Sequence, residues 1–398
     1  MILSLSAFVA CSSSPGGGDD DDDDDDDTEL PQPDADVPVN PADEPATLDG
    51  CDGQKLYQMP GDASKPGPWP VGTRTVQVGR LTVEVWYPAV WNSEEGAAPE
   101  LYDIRKQLPL SQQAIIPDAD NTWQQCDCYR DLPMDTERGP FPVIVFQHGT
   151  AAFRTESLTH MTHWASRGFV VAAADHPGLR LADSLALLCP DSSSGSQNLS
   201  GDFDATVAAL TEQNGQLAFL AGNIDMTRVG AVGHSAGGNA VSGYSSKPGV
   251  RVVIPLAAGG TTAASSTLES TLYLGGKADS VVSYSNVRSG YEASASPKRL
   301  VGISNTGHLV MSDLCELRNS AGKDMVEVAT EHGICGLQLA SFLFDCDPTY
   351  LDPEVGWDIV NFATTAVLQD VLHCSGAAAQ LDDITTVFPD VTEYEKSP

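Results

Sequence analysis

Short, continuously apolar runs alternate along the chain with longer stretches whose apolar positions recur at helical spacing. Residues 75–78 and 81–87 alternate apolar with polar, as in a half-exposed antiparallel pair, whereas residues 141–146 and 169–174 read as strands buried on both faces. Further strands are predicted at 228–232, 250–257, 272–275 and 300–303, and helices at 156–167, 204–220, 236–244, 325–343 and 357–372. Strands that alternate with helices imply right-handed crossovers. We therefore expect an α/β fold with a mostly parallel sheet covered by helices on both faces.

The amino-terminal segment has a different composition. Residues 1–53 carry sixteen acidic side chains and no Lys or Arg, and residues 19–27 are nine consecutive aspartates. Like charges with almost nothing to bury keep a chain extended, so residues 11–50 are predicted to be an acidic disordered tether. The aspartate run lacks the glycine-turn spacing of an EF-hand loop, which favours a solvated spacer over calcium binding.

The folded part is predicted to span residues 51–398. Residues 91–138 are irregular and are interpreted as an insertion, and the carboxy-terminal part is expected to be helical and to contain cysteines. The whole chain has 55 acidic and 21 basic side chains, for a formal net charge of −34. Because it has no Lys/Arg cluster to attract phosphate groups, nucleic acid is not an expected partner.

Residues 1–10 are apolar and end at Cys11, an arrangement that resembles the lipobox of a bacterial lipoprotein. We therefore expect residues 1–10 to be a signal peptide and Cys11 to be lipidated. No basic region precedes the apolar run, so either the leader starts upstream or its signal is weak. The alternative is a frayed terminus with an incidental cysteine. The expected location is the cell envelope, as an outer-membrane or surface lipoprotein, or the secreted fraction, with the membrane contacted only through this lipid.

The remaining cysteines support export. An even set in a chain with an export-like start predicts up to four disulfides, whose pairing the sequence leaves open. A zinc site is disfavoured because no two pairs have CxxC spacing, and no metal or cofactor is expected. These eight cysteines are Cys51, Cys126, Cys128, Cys189, Cys315, Cys335, Cys346 and Cys374.

Residues 233–238 read GHSAGG and lie between a predicted strand and a predicted helix. A G-x-S-x-G pattern in that context indicates a turn so sharp that the serine hydroxyl projects above the sheet. Ser235 is therefore the candidate nucleophile, and the alternative is a glycine-rich turn with an incidental serine. The neighbouring His234 is interpreted as a packing or supporting residue.

A serine hydroxyl needs a base to take its proton and an acid to orient that base. In this type of fold, the acid follows the serine and the histidine follows the acid. Between Ser235 and the next histidine, the carboxylates are Glu269, Asp279 and Glu292. Asp279 directly follows a buried strand, whereas Glu269 precedes that strand and Glu292 lies in a polar stretch. Asp279 is the predicted acid.

Three histidines follow Asp279 in the chain, namely His308, His332 and His373. His308 comes directly after a predicted strand and so falls at the same edge of the sheet as Asp279. His332 and His373 lie within or beside helical patterns and are interpreted as surface or packing residues. His308 is therefore the predicted base.

An oxyanion hole needs two donors. Strand 141–146 ends in a His-Gly pair that lets the backbone turn over the site, so the Thr150 N–H is the predicted second donor, and the Ala236 N–H is the first.

With these residues placed, the chain resembles the α/β-hydrolases. It is most similar to the branch that holds platelet-activating-factor acetylhydrolases, chlorophyllases and dienelactone-hydrolase-like polyester hydrolases. The matching segments are VEVWYPA, FPVIVFQHGTAAFRTES, ASRGFVVAAADHPG, VGAVGHSAGG and GHLVMSDLC, which lie between about residues 70 and 320. In that branch, the residue after the His-Gly pair and the residue after the serine donate to the oxyanion, which again indicates Thr150 and Ala236.

The resemblance implies an α/β-hydrolase fold and a serine carboxylic-ester hydrolase that works through a Ser-His-Asp triad and an acyl-enzyme. The expected partner is a small-molecule or polymeric ester. Two alternatives stay open, namely a polyester or dienelactone-type hydrolase and a non-catalytic surface binding lipoprotein on the same fold.

Overall fold

Residues 43–189, 194–339 and 343–398 are described by a computed structural model. From Pro45 onward they form one compact unit. The predicted signal peptide, Cys11 and most of the predicted tether lie outside the described residues, as do residues 190–193 and 340–342.

A ten-stranded mixed sheet organises this unit, and two small strand pairs flank it. The strands are β1 (Thr47–Asp49), β2 (Lys55–Tyr57), β3 (Val71–Val78), β4 (Leu81–Pro88), β5 (Leu101–Asp103), β6 (Trp123–Gln125), β7 (Tyr129–Arg130), β8 (Phe141–Gln147), β9 (Val170–Ala174), β10 (Ile224–His234), β11 (Val250–Leu256), β12 (Ser270–Gly276), β13 (Lys298–Ile303) and β14 (Val391–Ser397). The large sheet has the order β14-β13-β12-β11-β10-β8-β9-β4-β3-β7.

The centre of this sheet is parallel. Strands β9, β8, β10, β11, β12 and β13 pair in parallel, while β4 and β14 join the two ends of this set in antiparallel fashion. The carboxyl ends of the parallel strands therefore lie along one edge, where the loops after β8, β10, β12 and β13 meet. This arrangement confirms the predicted α/β fold with a mostly parallel sheet.

Helices cover both faces of the sheet. They are α1 (Leu158–Ser166), α2 (Leu181–Ala186), α3 (Leu199–Glu212), α4 (Ala236–Val241), α5 (Tyr284–Ala293), α6 (Met325–Glu331), α7 (Pro353–Leu372) and α8 (Ile384–Val387). Successive strand residues point to opposite faces. Val143 of β8 packs in the apolar cluster that contains Phe203 of α3, whereas Ile144 packs in the cluster that contains Trp164 of α1 and Val367 of α7. Burial on both faces explains why the central strands are continuously apolar.

Two predicted helices have different boundaries in the structure, and an edge strand was missed. The helix predicted at 325–343 ends at Glu331, because Gly333 takes a positive φ of 63° and stops it. Helix α3 begins and ends earlier than predicted, and Gln213 closes it in the left-handed conformation. Strand β14 was not predicted, since its charged residues lie at the sheet edge and lack an apolar run.

The segment interpreted as an insertion, residues 91–138, contains the β5–β6 pair and β7, which extends the sheet beside β3. Short 3-10 turns at Ile104–Gln107 and Leu110–Gln112 connect these strands. No helix within the described part of the chain has the length and apolarity needed to cross a bilayer.

Candidate active site

Ser235 lies on a strained turn between β10 and α4. Its backbone takes φ 53° and ψ −115°, a conformation that non-glycine residues rarely adopt. The turn is possible because Gly233 and Gly237 pass each other closely. A Cβ atom on Gly237 would overlap the carbonyl oxygen of Gln147, and one on Gly233 would lie 2.6 Å from the Gly237 backbone. The two glycines therefore allow the sharp turn that raises Ser235 above the sheet edge.

The loop after β8 lies directly against this turn. A Cβ atom on Gly149 would lie 3.2 Å from the Cβ of Ser235, so a side chain there would crowd the nucleophile. The next two residues are Thr150, which is exposed, and Ala151, which has a positive φ of 56°. Among the described residues, neither the Thr150 N–H nor the Ala236 N–H donates a hydrogen bond. Both predicted oxyanion donors are thus unpartnered.

Asp279 and His308 are hydrogen-bonded to each other. Asp279 follows β12 and His308 follows β13, and the His308 Nδ1 lies 2.7 Å from the Asp279 Oδ2. The two side chains are 1% and 3% exposed. The other carboxylate oxygen, Oδ1, accepts the N–H groups of Val281 at 2.8 Å and Val282 at 2.7 Å. This loop therefore fixes the direction in which the carboxylate faces the imidazole.

The environment of His308 keeps its ring neutral near pH 7. Burial lowers the pKa of His308 below its ordinary value, although the hydrogen bond to Asp279 acts in the opposite direction. With Nδ1–H donating to Asp279, the Nε2 lone pair is free to accept a proton.

Ser235 and His308 line one small cavity together with Gly149 and Thr150. Within the described part of the chain, the Ser235 hydroxyl makes no hydrogen bond. Asp279 does not line this cavity but is hydrogen-bonded to His308, which does. Of the five residues that the sequence predicted for the site, three line this cavity, Asp279 is hydrogen-bonded to one of these three, His308, and Ala236 directly follows Ser235.

Glu156 is a residue at this site that the sequence analysis did not single out. Its carboxylate is fully buried, and Oε1 accepts the Gly149 N–H at 2.8 Å. Its other oxygen lies 3.4 Å from the His234 Nδ1, and the His234 Nε2 donates to the His308 carbonyl at 3.1 Å. Burial acts to lower the pKa of His234, but the Glu156 carboxylate outweighs it and raises that pKa. Glu156 and His234 therefore tie the loops of Gly149 and His308 to the Ser235 turn.

The competing candidates lie elsewhere, each with its own partner. The distances are 3.0 Å from His332 to Asp120, 3.2 Å from His373 to the Gly168 carbonyl, 2.7 Å from Glu269 to Arg251 and 3.0 Å from Glu292 to Arg288. None of these four lines the cavity of Ser235.

The described residues contain no group of three or more His, Cys, Asp or Glu side chains placed to hold a metal ion. All eight cysteines of the folded part instead form disulfides, which is typical of an exported protein. The pairs are Cys51–Cys374, Cys126–Cys128, Cys189–Cys335 and Cys315–Cys346.

Comparison with known proteins identifies the fold. Among solved structures, a ferulic acid esterase from Streptomyces cinnamoneus superposes with a TM-score of 0.50 at 19% identity, over 79% of this chain and 94% of that one. The protein has the α/β-hydrolase fold. The family described as platelet-activating factor acetylhydrolase, isoform II, matches residues 104–185, which confirms the resemblance to that branch of the α/β-hydrolases. No curated protein matches the chain.

The family match covers only part of the candidate site. It begins inside the segment interpreted as an insertion, so residues 104–138 have a counterpart in this α/β-hydrolase family. It includes the loop of Gly149 and Thr150 and also Glu156, but it ends before Ser235. The parts of the site contributed by β10, β12 and β13 therefore rest on the geometry described above.

Proposed function

We propose that this protein is a serine carboxylic-ester hydrolase that acts through Ser235, His308 and Asp279. The observation that carries the proposal is the buried Asp279–His308 hydrogen bond beside a serine on a strained turn. The family match to an acetylhydrolase and the fold shared with a ferulic acid esterase support ester hydrolysis as the reaction.

The reaction begins with the Ser235 hydroxyl. Its oxygen attacks the acyl carbon while the neutral His308 Nε2 takes the proton, and Asp279 stabilises the imidazolium that forms. The imidazolium then protonates the leaving alkoxide, so the alcohol departs and the acyl group stays on Ser235. Water attacks this ester in the same way, with His308 again as the base, and releases the acid.

The tetrahedral oxygen is the point at which negative charge develops. The unpartnered N–H groups of Thr150 and Ala236 are the proposed donors to it. One such donor contributes roughly 3–4 kcal/mol of barrier lowering in comparable hydrolases. Glu156 supports this loop by accepting the Gly149 N–H, which leaves the next N–H available for the substrate.

The cavity beside Ser235 favours a small acyl group. Its volume is about 20 Å³, room for about one water molecule, and its apolar wall includes Leu309, Leu314 and Phe344. Phe344 also lines a second apolar cavity, of about 40 Å³. An acetyl group suits the first cavity, whereas a longer acyl chain requires Phe344 to move.

The proposal is tested by Ser235→Ala in the full chain, produced in an oxidising compartment. Loss of the nucleophile should lower kcat for p-nitrophenyl acetate by at least about 10⁴-fold and abolish labelling by a fluorophosphonate probe. Ser242→Ala is the matched control, because Ser242 is a buried serine just after α4 whose hydroxyl donates to the Asn239 carbonyl.

The control variant should keep wild-type turnover and labelling. A Ser235→Ala protein that still hydrolyses the ester at the wild-type rate would contradict the proposed nucleophile. A folded, disulfide-intact wild type that neither hydrolyses esters nor labels would favour the alternative of a binding protein on this fold.

Acyl-chain selectivity is tested by Phe344→Ala. Removing the ring should open the first cavity toward the second, so the ratio of kcat/KM for p-nitrophenyl hexanoate to that for the acetate should rise at least about tenfold, since even one accommodated methylene contributes about 1–3 kcal/mol. Phe219→Ala, which removes a half-buried ring packed on Tyr87, should leave the ratio unchanged. An unchanged ratio in Phe344→Ala would contradict this assignment of the acyl side.

The proposed site of action is outside the cytoplasm, since four disulfides are typical of proteins in oxidising compartments. Lipidation of Cys11 stays a sequence-based prediction. It is checked by whether a Cys11→Ser protein moves from the membrane fraction to the soluble fraction.

A further inference from the structure

A segment from the carboxy-terminal part, which the family match does not reach, touches the loops of both the acid and the base. The Asp345 Oδ2 accepts the N–H of Ser280 at 3.1 Å and the N–H of His308 at 3.1 Å. Ser280 directly follows Asp279. A single oxygen of Asp345 is therefore bonded to the backbone beside the acid and to the backbone of the base itself.

The other oxygen of Asp345 is also engaged. Oδ1 accepts the hydroxyl of Tyr350 at 2.9 Å, and that hydroxyl also lies 3.2 Å from the Ala278 carbonyl. The Tyr350 ring lies on Gly307, where a Cβ atom would overlap it. Burial acts to raise the pKa of Asp345, but these hydrogen bonds outweigh it and lower that pKa. Asp345 is therefore ionised and suited to accept from several donors.

The chain next to Asp345 is covalently fixed. Cys346 forms a disulfide with Cys315, which lies seven residues after His308. The Asp345 segment is thus tied to the same stretch of chain that carries the base. Because Cys346 is exposed, this disulfide is open to solvent.

We propose that Asp345 is a positioning residue that holds Asp279 and His308 in register with Ser235, and that the Cys315–Cys346 disulfide anchors it there. This inference rests on the proposed hydrolytic function. The Ala278 N–H donates to the Thr306 carbonyl at 3.0 Å, which is the last backbone bond between the loops after β12 and β13 among the described residues, so Asp279 and His308 lie one and two residues beyond it. Misplacing a reacting group by about 1 Å can cost about 10²-fold in rate. One carboxylate that accepts from both loops fixes the spacing between the acid and the base.

The test compares Asp345→Ala with Asp345→Asn in the full, oxidised chain. Asparagine keeps an oxygen for the Ser280 and His308 N–H groups, and its amide can donate to the Tyr350 hydroxyl, which then donates to the Ala278 carbonyl. Asp345→Ala should therefore lower kcat for p-nitrophenyl acetate by about 30–100-fold with KM within threefold, while Asp345→Asn stays within about fivefold of wild type. Asp347→Ala is the control, because the Asp347 carboxylate accepts from Thr349 in the same segment and, among the described residues, from no group in the loops of Asp279 or His308.

A spectroscopic readout keeps this test separate from the proposed function. The His308 Nδ1 proton in a short bond to a buried carboxylate should give a low-field proton resonance. That resonance should persist in the wild type, in Ser235→Ala and in Asp345→Asn, and it should broaden or vanish in Asp345→Ala. The expected pattern can be observed even if the protein hydrolyses no ester, so the two proposals can fail independently.

The anchor is tested by replacing Cys315 and Cys346 together with serine. This pair of substitutions should lower kcat at least tenfold, whereas replacing Cys51 and Cys374 together should lower thermal stability and leave kcat within threefold. Asp345→Ala with kcat and the resonance unchanged would overturn the positioning role, as would an Asp345→Asn protein as impaired as Asp345→Ala. Full kcat without the Cys315–Cys346 bond would overturn the anchoring role.

Discussion

Replacing Asp279 with asparagine is a sharp test of the proposed triad, because the surrounding loop dictates how the new amide must sit. In the native loop, Oδ1 accepts the N–H groups of Val281 and Val282, while Oδ2 faces the His308 Nδ1 at 2.7 Å. An asparagine at this position keeps its carbonyl oxygen on the two N–H groups, since the reverse orientation would place its NH₂ against two donors. Its NH₂ group is therefore directed at His308.

That orientation puts the imidazole in the wrong tautomer. An NH₂ donor opposite Nδ1 requires Nδ1 to be the acceptor, so the ring proton moves to Nε2. A protonated Nε2 cannot take the proton of Ser235. The same change of tautomer in a serine protease lowers kcat by about 10⁴-fold, which corresponds to about 5 kcal/mol of barrier. We expect a loss of that size for Asp279→Asn with little change in KM.

The assay is steady-state hydrolysis of p-nitrophenyl acetate by the oxidised full chain, with near-ultraviolet circular dichroism to verify the fold. Asp225→Asn is the matched control, because the Asp225 carboxylate likewise accepts a backbone N–H two residues on, at 2.9 Å, but at the opposite edge of the sheet. The control should keep the wild-type kcat. An Asp279→Asn protein that folds and keeps kcat within tenfold of wild type would refute the role of Asp279.

Two further predictions follow from burial. Because burial lowers the pKa of His308 and the base must be neutral, kcat/KM for an ester should rise with pH to a plateau with its midpoint below 6.5, and a midpoint above 6.5 would contradict a buried base. Burial also raises the pKa of Asp313 to about 7, so the folded protein holds the protonated carboxyl more tightly than the unfolded chain does. The resulting contribution to the free energy of unfolding is complete below about pH 4 and is lost as the pH rises through 7. Chemical unfolding of the wild type should therefore show a loss of about 3 kcal/mol between pH 5 and 8 that Asp313→Asn lacks, and equal losses in both proteins would refute it.

The parts of the fold that local pattern reveals are those buried on both faces. Strands β8 and β9 are almost continuously apolar because helices cover them on two sides, and that requirement is visible in any short window of sequence. Strand β14 is not predictable from a local pattern because it lies at the sheet edge and carries charged side chains. It is a strand because it pairs with β13. The long-range disulfide pairs are also hidden from local pattern, since Cys51 and Cys374 are separated by 323 positions.

The candidate site likewise contains residues that a local sequence pattern predicts and residues that it does not. Ser235 is predictable because the glycines around it indicate a sharp turn. Asp279 and His308 are predictable because they come after Ser235 in the expected order and each directly follows a predicted strand. Glu156 and Asp345 were not predictable, because both accept backbone N–H groups. Nearly every residue offers such a donor, so the pairing leaves no trace in residue types. The signal that finds these acids is a buried or half-buried carboxylate close to a catalytic loop, which only the folded chain displays.

These carboxylates share a physical role. The loops that carry the site extend past the carboxyl edge of the sheet, where backbone N–H groups have lost their strand partners. Asp279 accepts two such groups, Asp345 accepts two more, and Glu156 accepts the N–H of Gly149. Each acid thus supplies acceptors where the strand ladder ends, and Asp345 adds a second link between two loops that the Ala278–Thr306 backbone bond already joins. Under the two proposals, side chains from three separate parts of the chain set the spacing of the proposed nucleophile, base and acid. Substitution of an acid that never touches the substrate is therefore expected to alter kcat more than KM.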